Sequence, residues 1–306
     1  GGRIILLHLH SGSMEIGKYQ RLLASVTLPS SAEPHIPALA RAFAVSEDTV
    51  RCIYAQEVQS RVKKRHAALL AGIEAAMTRF HNGDDMVQIA YALDLPPCIV
   101  ARRLLEALRL GLGRAGTTLA LRDPAALPSL VKTPGLADTL LARLRRELEA
   151  CVAVDAVCCP RADSARARAG SAYEERLYAS LHEAGVAFWT EGGLRARGFF
   201  KTPDAKLQVP VAVGGRVVHW IDSKATFGDA RMHRTQLAEQ YELYVNRFGP
   251  GMVIYWHGYV EGLLEHPGVL VVDDFPAKSS ILQLPCLSVE PVRPSEAPFR
   301  PAIQAA

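Results

Sequence analysis

Three short segments of the chain carry side chains that can do chemistry together: Thr202-Pro203-Asp204, Ile221-Asp222-Ser223-Lys224 and Tyr173-Glu174-Glu175. Asp222 and Lys224 are two positions apart, and residues two apart on a β-strand leave the same face, so a carboxylate and an ammonium are held side by side. If Asp204 arrives from the neighbouring strand, two carboxylates converge. They can then hold a hard divalent cation, Mg2+ or Mn2+, with waters completing its shell. Such a cation neutralises charge on a phosphodiester and lowers the pKa of a water, while Lys224 orients that water or stabilises the developing negative charge. The carbonyl of Ser223 is a further candidate metal ligand, and Glu174 offers a carboxylate from a helix, to the same metal or a second one. On spacing alone, P-D followed by D-x-K is a weak signal, because a chain of 306 residues often contains it by accident. Its setting strengthens it: the pattern straddles Gly214-Gly215, a turn dipeptide, with valine-rich segments on both sides.

That setting makes a geometric demand. With Gly214-Gly215 as a two-residue hairpin loop, Val213 faces Arg216, and an unbroken ladder brings Asp204 opposite Ala225, pointing away from Asp222 and Lys224. One metal site then requires an odd-length loop or a β-bulge between Asp204 and Asp222. Pro210 in mid-strand, which cannot donate to the ladder, is the natural place for one.

From Gly170 onward the pattern predicts a helix over 172–184, strands over 206–213 and 216–221, a helix over 230–246, and strands over 252–259 and 269–272. This is the order of an α/β domain, a mixed sheet flanked by helices, expected over 170–284. Residues 14–134 read as an all-α domain, because apolar residues recur every three or four positions and strand-like alternation is scarce. Within it, Leu39-Ala40-Arg41-Ala42-Phe43-Ala44-Val45-Ser46 followed by Val50 matches Ile89-Ala90-Tyr91-Ala92-Leu93-Asp94-Leu95-Pro96 followed by Val100, at an offset of 50 residues. Each copy has the helix-turn-helix pattern, with arginine on the second helix: Arg51 in one, Arg102 and Arg103 in the other. A Gly, Thr and Pro-rich loop is expected over 111–134, and a linker helix and loop over 135–169. Residues 1–13 and the proline-rich 285–306 are expected to lie outside the folded domains.

Composition bounds the function classes. Hydrophobic residues at 49% and charged residues at 22% describe a packed globular chain rather than a disordered one. The net charge of +4 mildly favours polyanions. The basic runs Arg61, Lys63, Lys64, Arg65 and Arg143, Arg145, Arg146 read either as solvated helix faces or as phosphate contacts. The cysteines at 52, 98, 151, 158, 159 and 286 lack zinc-ligand spacing and are read as reduced thiols, which favours an intracellular setting. No stretch has the roughly 18 uninterrupted apolar residues of a membrane span.

Residues 194–262, with LRARGFFKTPDAKLQVPVAVGGRVVHWIDSKATFGD and NRFGPGMVIYWHGY, closely resemble the codanin-interacting nuclease family, whose TPD motif is Thr202-Pro203-Asp204 here. The similarity is dense over this stretch and weaker through the helical half. The resemblance implies a divergent PD-(D/E)xK, Holliday-junction-resolvase-like nuclease domain behind an all-α domain with two helix-turn-helix-like units. Carried over residue by residue, it places the metal carboxylates on Asp204 and Asp222, the catalytic lysine on Lys224 and the helix acid on Glu174. Gln240 becomes the glutamine that hydrogen-bonds a phosphate or a metal-bound water. Position 222 is Asp where relatives can carry the longer Glu. The implied activity is Mg2+- or Mn2+-dependent hydrolysis of nucleic acid, DNA first, in the nucleus and cytoplasm, with a codanin-like protein as partner. The rival reading is a non-catalytic nucleic-acid-binding or chromatin-assembly adaptor. Arg51, Lys63, Lys64, Arg65, Arg102, Arg103 and His233 are the candidate nucleic-acid contacts. His219, Trp220 and Trp256 are read as packing residues, and Arg247 as either a turn brace or a phosphate contact.

Overall fold

The computed structural model describes residues 13–133 and 135–283, so residues 1–12 and the 285–306 tail lie outside the described residues. The first described residues form a short strand, β1 (Ser13–Met14), paired in parallel with Tyr259 and Val260, so Ser13 already belongs to the fold. Ten helices follow: α1 (Ile16–Val26), α2 (Ile36–Phe43), α3 (Glu47–Ala71), α4 (Ile73–His81), α5 (Met86–Ala92), α6 (Pro97–Ala107), α7 (Gly113–Arg122), α8 (Leu127–Leu130), α9 (Asp138–Val154) and α10 (Pro160–Glu183). The loop expected over 111–134 is thus largely helical. Its glycines only start it, with φ of +72° at Gly111 and +60° at Gly113, while Thr117, Ala120 and Leu121 share one buried face that packing holds.

The two matched segments share their local backbone. Ala44 (φ +46°) and Asp94 (φ +51°) are both left-handed, Val45 N–H and Leu95 N–H each donate back to the carbonyls of Ala40 and Ala90 at 3.0 Å, and Val50 and Val100 are both fully buried. They serve different cores. Ala40 and Val50 pack with Met14, Leu22, Val26, Ile53, Phe227 and Val260, whereas Ala90 and Val100 pack with Phe80, Leu104, Leu121, Leu144 and Leu148. Helices α1–α3 therefore share a core with the C-terminal half, and α9 belongs to the helical core, so packing runs across the boundaries expected near 134 and 169.

The C-terminal half continues with β2 (Phe188–Thr190), α11 (Glu191–Ala196), β3 (Ala205–Val213), β4 (Arg216–Lys224), α12 (Ala230–Gln236), a π-helical turn (Leu237–Tyr241) and α13 (Glu242–Phe248). It closes with β5 (Gly251–Tyr255), β6 (Tyr259–Val260), β7 (Val269–Val272) and β8 (Ile281–Gln283). The mixed sheet runs β2-β3-β4-β5-β7, antiparallel up to β4 and parallel beyond it, and β8 joins the far end of β3. One face packs on α10 through Leu177, Leu181, Ile221, Met252 and Ile254. The other packs on the π turn and α13 through Trp220, Leu237, Tyr241, Tyr244 and Val253. Gly251 is required on that face, since a Cβ there would sit 2.1 Å from the Trp220 ring.

Candidate active site

The hairpin meets the geometric demand by a bulge. Gly214 (φ +56°) and Gly215 (φ +78°) make the two-residue turn, and Val213, Ala212 and Val211 pair with Arg216, Val217 and Val218. Beyond it the register jumps: Lys206 pairs with Trp220 and Ala205 with Ile221. Residues 207–210, Pro210 among them, thus stand opposite His219 alone, an odd excess that flips the face of everything before it. His219 is drawn off instead, its N–H donating to Pro250 O at 2.8 Å. Continuing the register sets Asp204 across from Asp222, and the Asp204 carboxylate accepts the Ser223 N–H at 2.7 Å.

The surrounding side chains fix this cluster. Tyr178 on α10 donates its hydroxyl to Asp204 O at 3.2 Å, and Tyr244 on α13 donates to Thr202 O at 3.0 Å, so both sides of the TPD segment are pinned. Trp256 Nε1 donates to Ser223 Oγ at 2.7 Å, and the Trp256 ring stacks on Tyr173, the neighbour of Glu174, with centroids 5.3 Å apart. Lys224 Nζ lies 2.7 Å from Asp222 Oδ2 and donates to Gln240 Oε1 at 3.1 Å. Gln240 reaches it from the π turn, the kind of helical irregularity that often sits at functional sites.

Electrostatics strain the cluster toward a cation. Asp222 is 2% exposed, and its Oδ2, despite the adjacent ammonium, has no aligned hydrogen-bond donor. Burial, reinforced by the charge of Asp222, pushes the Asp204 carboxyl well above the usual carboxylate range, and the Ser223 N–H only partly opposes this. Burial also raises Glu174, with Glu191 and Asp222 adding to it and Lys224 working against them. The neighbouring carboxylate Asp222 leads the influences that raise Lys224, although its burial acts the other way more strongly than any one of them. A buried carboxylate, a half-buried one and one ammonium make a pocket of hard oxygen donors in which a cation would favour the ionised form of Asp204. That suits Mg2+, which is commonly held by one or two carboxylates, waters and substrate phosphate. Glu174 stays outside this pair: among the described residues no three His, Cys, Asp or Glu side chains lie close enough together to hold a metal ion.

The structure does not gather the candidate nucleic-acid contacts. Lys63 and Lys64 are exposed on α3. Arg51 is exposed and paired with Glu47 at 2.7 Å. Arg65 is tied to Asp94 at 3.2 Å, Arg102 to Thr118 at 2.9 Å and Arg103 to Glu106 at 2.6 Å. His233 is 1% exposed, with Nδ1 beside Tyr255 Oη at 3.0 Å and Nε2 beside Leu264 O at 3.2 Å. Its place near the motif suggested substrate contact, but the helix phase turns it into the core. Arg247 braces the loop before Asp204, donating to Phe200 O and Lys201 O. The described cysteines are free, and burial pushes the Cys52 thiol up to about 11. No described helix is long and apolar enough to cross a membrane.

Comparison with known proteins now bears on this geometry. The family described as "Protein of unknown function TPD sequence-motif" matches residues 141–275. CDAN1-interacting nuclease 1 of Xenopus laevis is 36% identical over 243 residues, 76% of this chain and 78% of the relative. The protein of that name from Homo sapiens is 34% identical over 247 residues, 76% of this chain and 84% of the relative. The chain belongs to the codanin-interacting nuclease family. The family's TPD segment is the one that delivers Asp204 here, and its matched region spans α10, β3, β4 and the π turn, hence the whole cluster. No solved structure matches this chain. The tyrosines that pin the TPD segment, Tyr178 and Tyr244, escape sequence reading because their partners are backbone carbonyls 26 and 42 residues away.

Proposed function

We propose that the chain is a metal-dependent nuclease that hydrolyses phosphodiester bonds of DNA at Asp204, Asp222 and Lys224. The observation that carries this reading is the bulge that turns Asp204 onto the face of Asp222 and Lys224, because a fold without chemistry there has no need of two like charges brought together away from bulk water. Asp204 and Asp222 would hold Mg2+ or Mn2+, with the Ser223 carbonyl as a further ligand, while Glu174 on α10 stays outside the coordinating pair. When bound, the ion supplies charge neutralisation at the phosphate and a more acidic water. Lys224 has three donors. One goes to Gln240, and Asp222 Oδ2 lies 2.7 Å away without an aligned hydrogen bond, so donor capacity is left for a non-bridging phosphate oxygen as negative charge develops there. Gln240 and Asp222 restrain the ammonium, and the buried Asp222 keeps bulk water off it. In the reaction a water oxygen bonds to phosphorus, the bond to the leaving oxygen breaks, the water's proton is lost to solvent, and the leaving oxygen takes up a proton from solvent.

The relatives' name supports a codanin-like protein as partner; nucleus and cytoplasm are proposed as the setting on the family resemblance alone. An adaptor role alone would leave the carboxylate pair without a use. The test is cleavage of labelled linear and branched DNA in Mg2+ and Mn2+. Asp222→Asn or Lys224→Ala is expected to abolish cutting while DNA affinity stays within a few-fold, since phosphate binding is spread over many cations. Wild-type rates in either purified variant would remove the assignment.

A further inference from the structure

Beside the carboxylates lies a surface that this mechanism does not use. The loop entering Asp204 exposes Phe199 (40%) and Phe200 (72%), and β2 exposes Trp189 (36%). Trp189 pairs with Lys206, which pairs in turn with Trp220, so Trp189 stands on the sheet face that carries Asp204 and Asp222. Cations are interleaved with the rings. The Arg197 guanidinium lies 5.2 Å from the Trp189 centroid, and that of Arg247 lies 4.9 Å from Phe200. Lys201, the residue after Phe200, is exposed at φ +48°. The platform is held in place: Arg247 donates to the carbonyls of Phe200 and Lys201, Phe199 packs on Phe248 with centroids 6.0 Å apart, and Tyr244 fixes Thr202. Phe200 is four residues from Asp204, at most roughly 14 Å along an extended chain, which a strand spans in about four stacked nucleotides.

We infer that Trp189, Phe199 and Phe200 form a stacking platform for unpaired bases next to the scissile phosphate, so that the preferred substrate is DNA with a single-stranded segment, as in a flap or an opened junction. The inference rests on the nuclease reading above and narrows its substrate. Paired bases hide their faces in the duplex, so exposed rings gain nothing from blunt DNA, whereas any unpaired base has a face to offer. The interleaved arginines and lysine complement a phosphodiester strand rather than an apolar protein surface, and the platform leads straight into the carboxylate that would hold the metal. Because Phe200 is mostly solvent-exposed, removing its ring does not empty the core.

The test is binding of fluorescently labelled DNA in EDTA, so that no cutting occurs, with three probes: a blunt duplex, the same duplex carrying an unpaired flap, and the single strand. Phe200→Ala is expected to weaken flap and single-strand binding about tenfold and to leave the blunt duplex nearly unchanged, with Phe200→Trp restoring the preference. A 2-aminopurine in the flap should be quenched by the wild type and not by Phe200→Ala. Equal losses on all three probes, no loss on any, or no DNA binding at all would overturn the platform, as would a loss confined to binding of a codanin-like protein, which would mark a protein interface instead. Cleavage that depends on Asp222 but ignores Phe200 would sink the platform alone, whereas absence of Asp222-dependent cleavage of every substrate would sink the nuclease reading.

Discussion

Asp222 is a buried carboxylate paired with the Lys224 ammonium and Asp204 a half-buried one beside it, and the cost of that arrangement is measurable without any substrate. Asp204 is more acidic in the unfolded chain than in the folded one, because burial and Asp222 both disfavour its charge, so at neutral pH its ionised form works against folding. Asp204→Asn, which removes that charge and leaves the Lys224–Asp222 pair intact, is therefore expected to raise the Tm of the protein in EDTA by a few degrees. Added Mg2+ or Mn2+ should raise the Tm of the wild type and not of the variant, by preferential binding to the folded state. Equal metal effects on both proteins would separate the ion from this site. His233 has the opposite sign. Burial holds it below its ordinary value of 6.5, so the folded state favours the neutral ring; its contribution is intact above 6.5 and is lost as pH falls through the lower folded value. His219 and His257 are lowered by burial too, so the same descent is expected to be shallower, not absent, in His233→Gln when denaturant midpoints are compared between pH 7.5 and 5. Identical pH profiles would show that His233 does not titrate with unfolding. Asp204, Asp222 and Lys224 stood out in the sequence because their spacing about a turn dipeptide and the family resemblance pointed to the same three residues. His233 was not, because a histidine near a helix start reads the same whether it faces substrate or the carbonyl of Leu264, and a partner 31 residues away decides it.

At the scale of elements, two irregularities make the site: the bulge in β3 aims Asp204, and the π turn delivers Gln240 to Lys224. The need for the first follows from parity alone, since a regular ladder from Gly214-Gly215 back to Asp204 puts the carboxylates on opposite faces. Its size does not follow, because any odd excess satisfies parity, and what settles it is how β2 and β8 share the other edge of β3. The π turn left no mark in the sequence, since one extra residue per turn hardly disturbs an apolar spacing of three and four. Strands β2 and β8 were likewise missed: three residues are too short to show alternation, and both are recruited by the free edge of β3. Parity gives a sharp experiment. Gln208 and Val209 are both exposed within the bulge. Deleting Gln208 alone makes the excess even and is expected to abolish cleavage, while deleting both restores an odd excess and should return part of the activity. The order of these two variants in cleavage assays decides the matter, because simple damage to the strand would make the double deletion the worse one.

The whole molecule is held by α3, a helix of 25 residues that spans about 37 Å. Its first half is clamped to the nuclease unit: Thr49 Oγ1 donates to His257 O at 3.0 Å, Gln56 Nε2 to Phe227 O at 2.8 Å, and Phe227 N–H to Cys52 Sγ at 3.0 Å. Its second half is fastened to the helical core by Arg61 and Arg65, which pair with Asp94 at the left-handed turn of the second matched segment. These long-range bonds explain why the sequence suggested separate domains: the boundary signals were local, and the clamp is not. They also show why the two arginines are poor phosphate contacts, being spent on structure. Lys63 and Lys64 lie between them, exposed, on a helix whose orientation to the carboxylates is fixed at one end. A duplex reaching Asp222 can meet them only at one set distance, so their contribution to binding is electrostatic and independent of sequence. Each cation that neutralises a phosphate contributes about 0.9 to the slope of log affinity against log salt. Lys63→Gln together with Lys64→Gln is therefore expected to flatten that slope by about 1–2, weakening DNA of every sequence alike. Arg65→Gln should instead lower Tm with little change in slope. If the lysine pair leaves the salt dependence untouched, the DNA path does not cross α3, and the aromatic side of the carboxylates is left as its only approach among these surfaces.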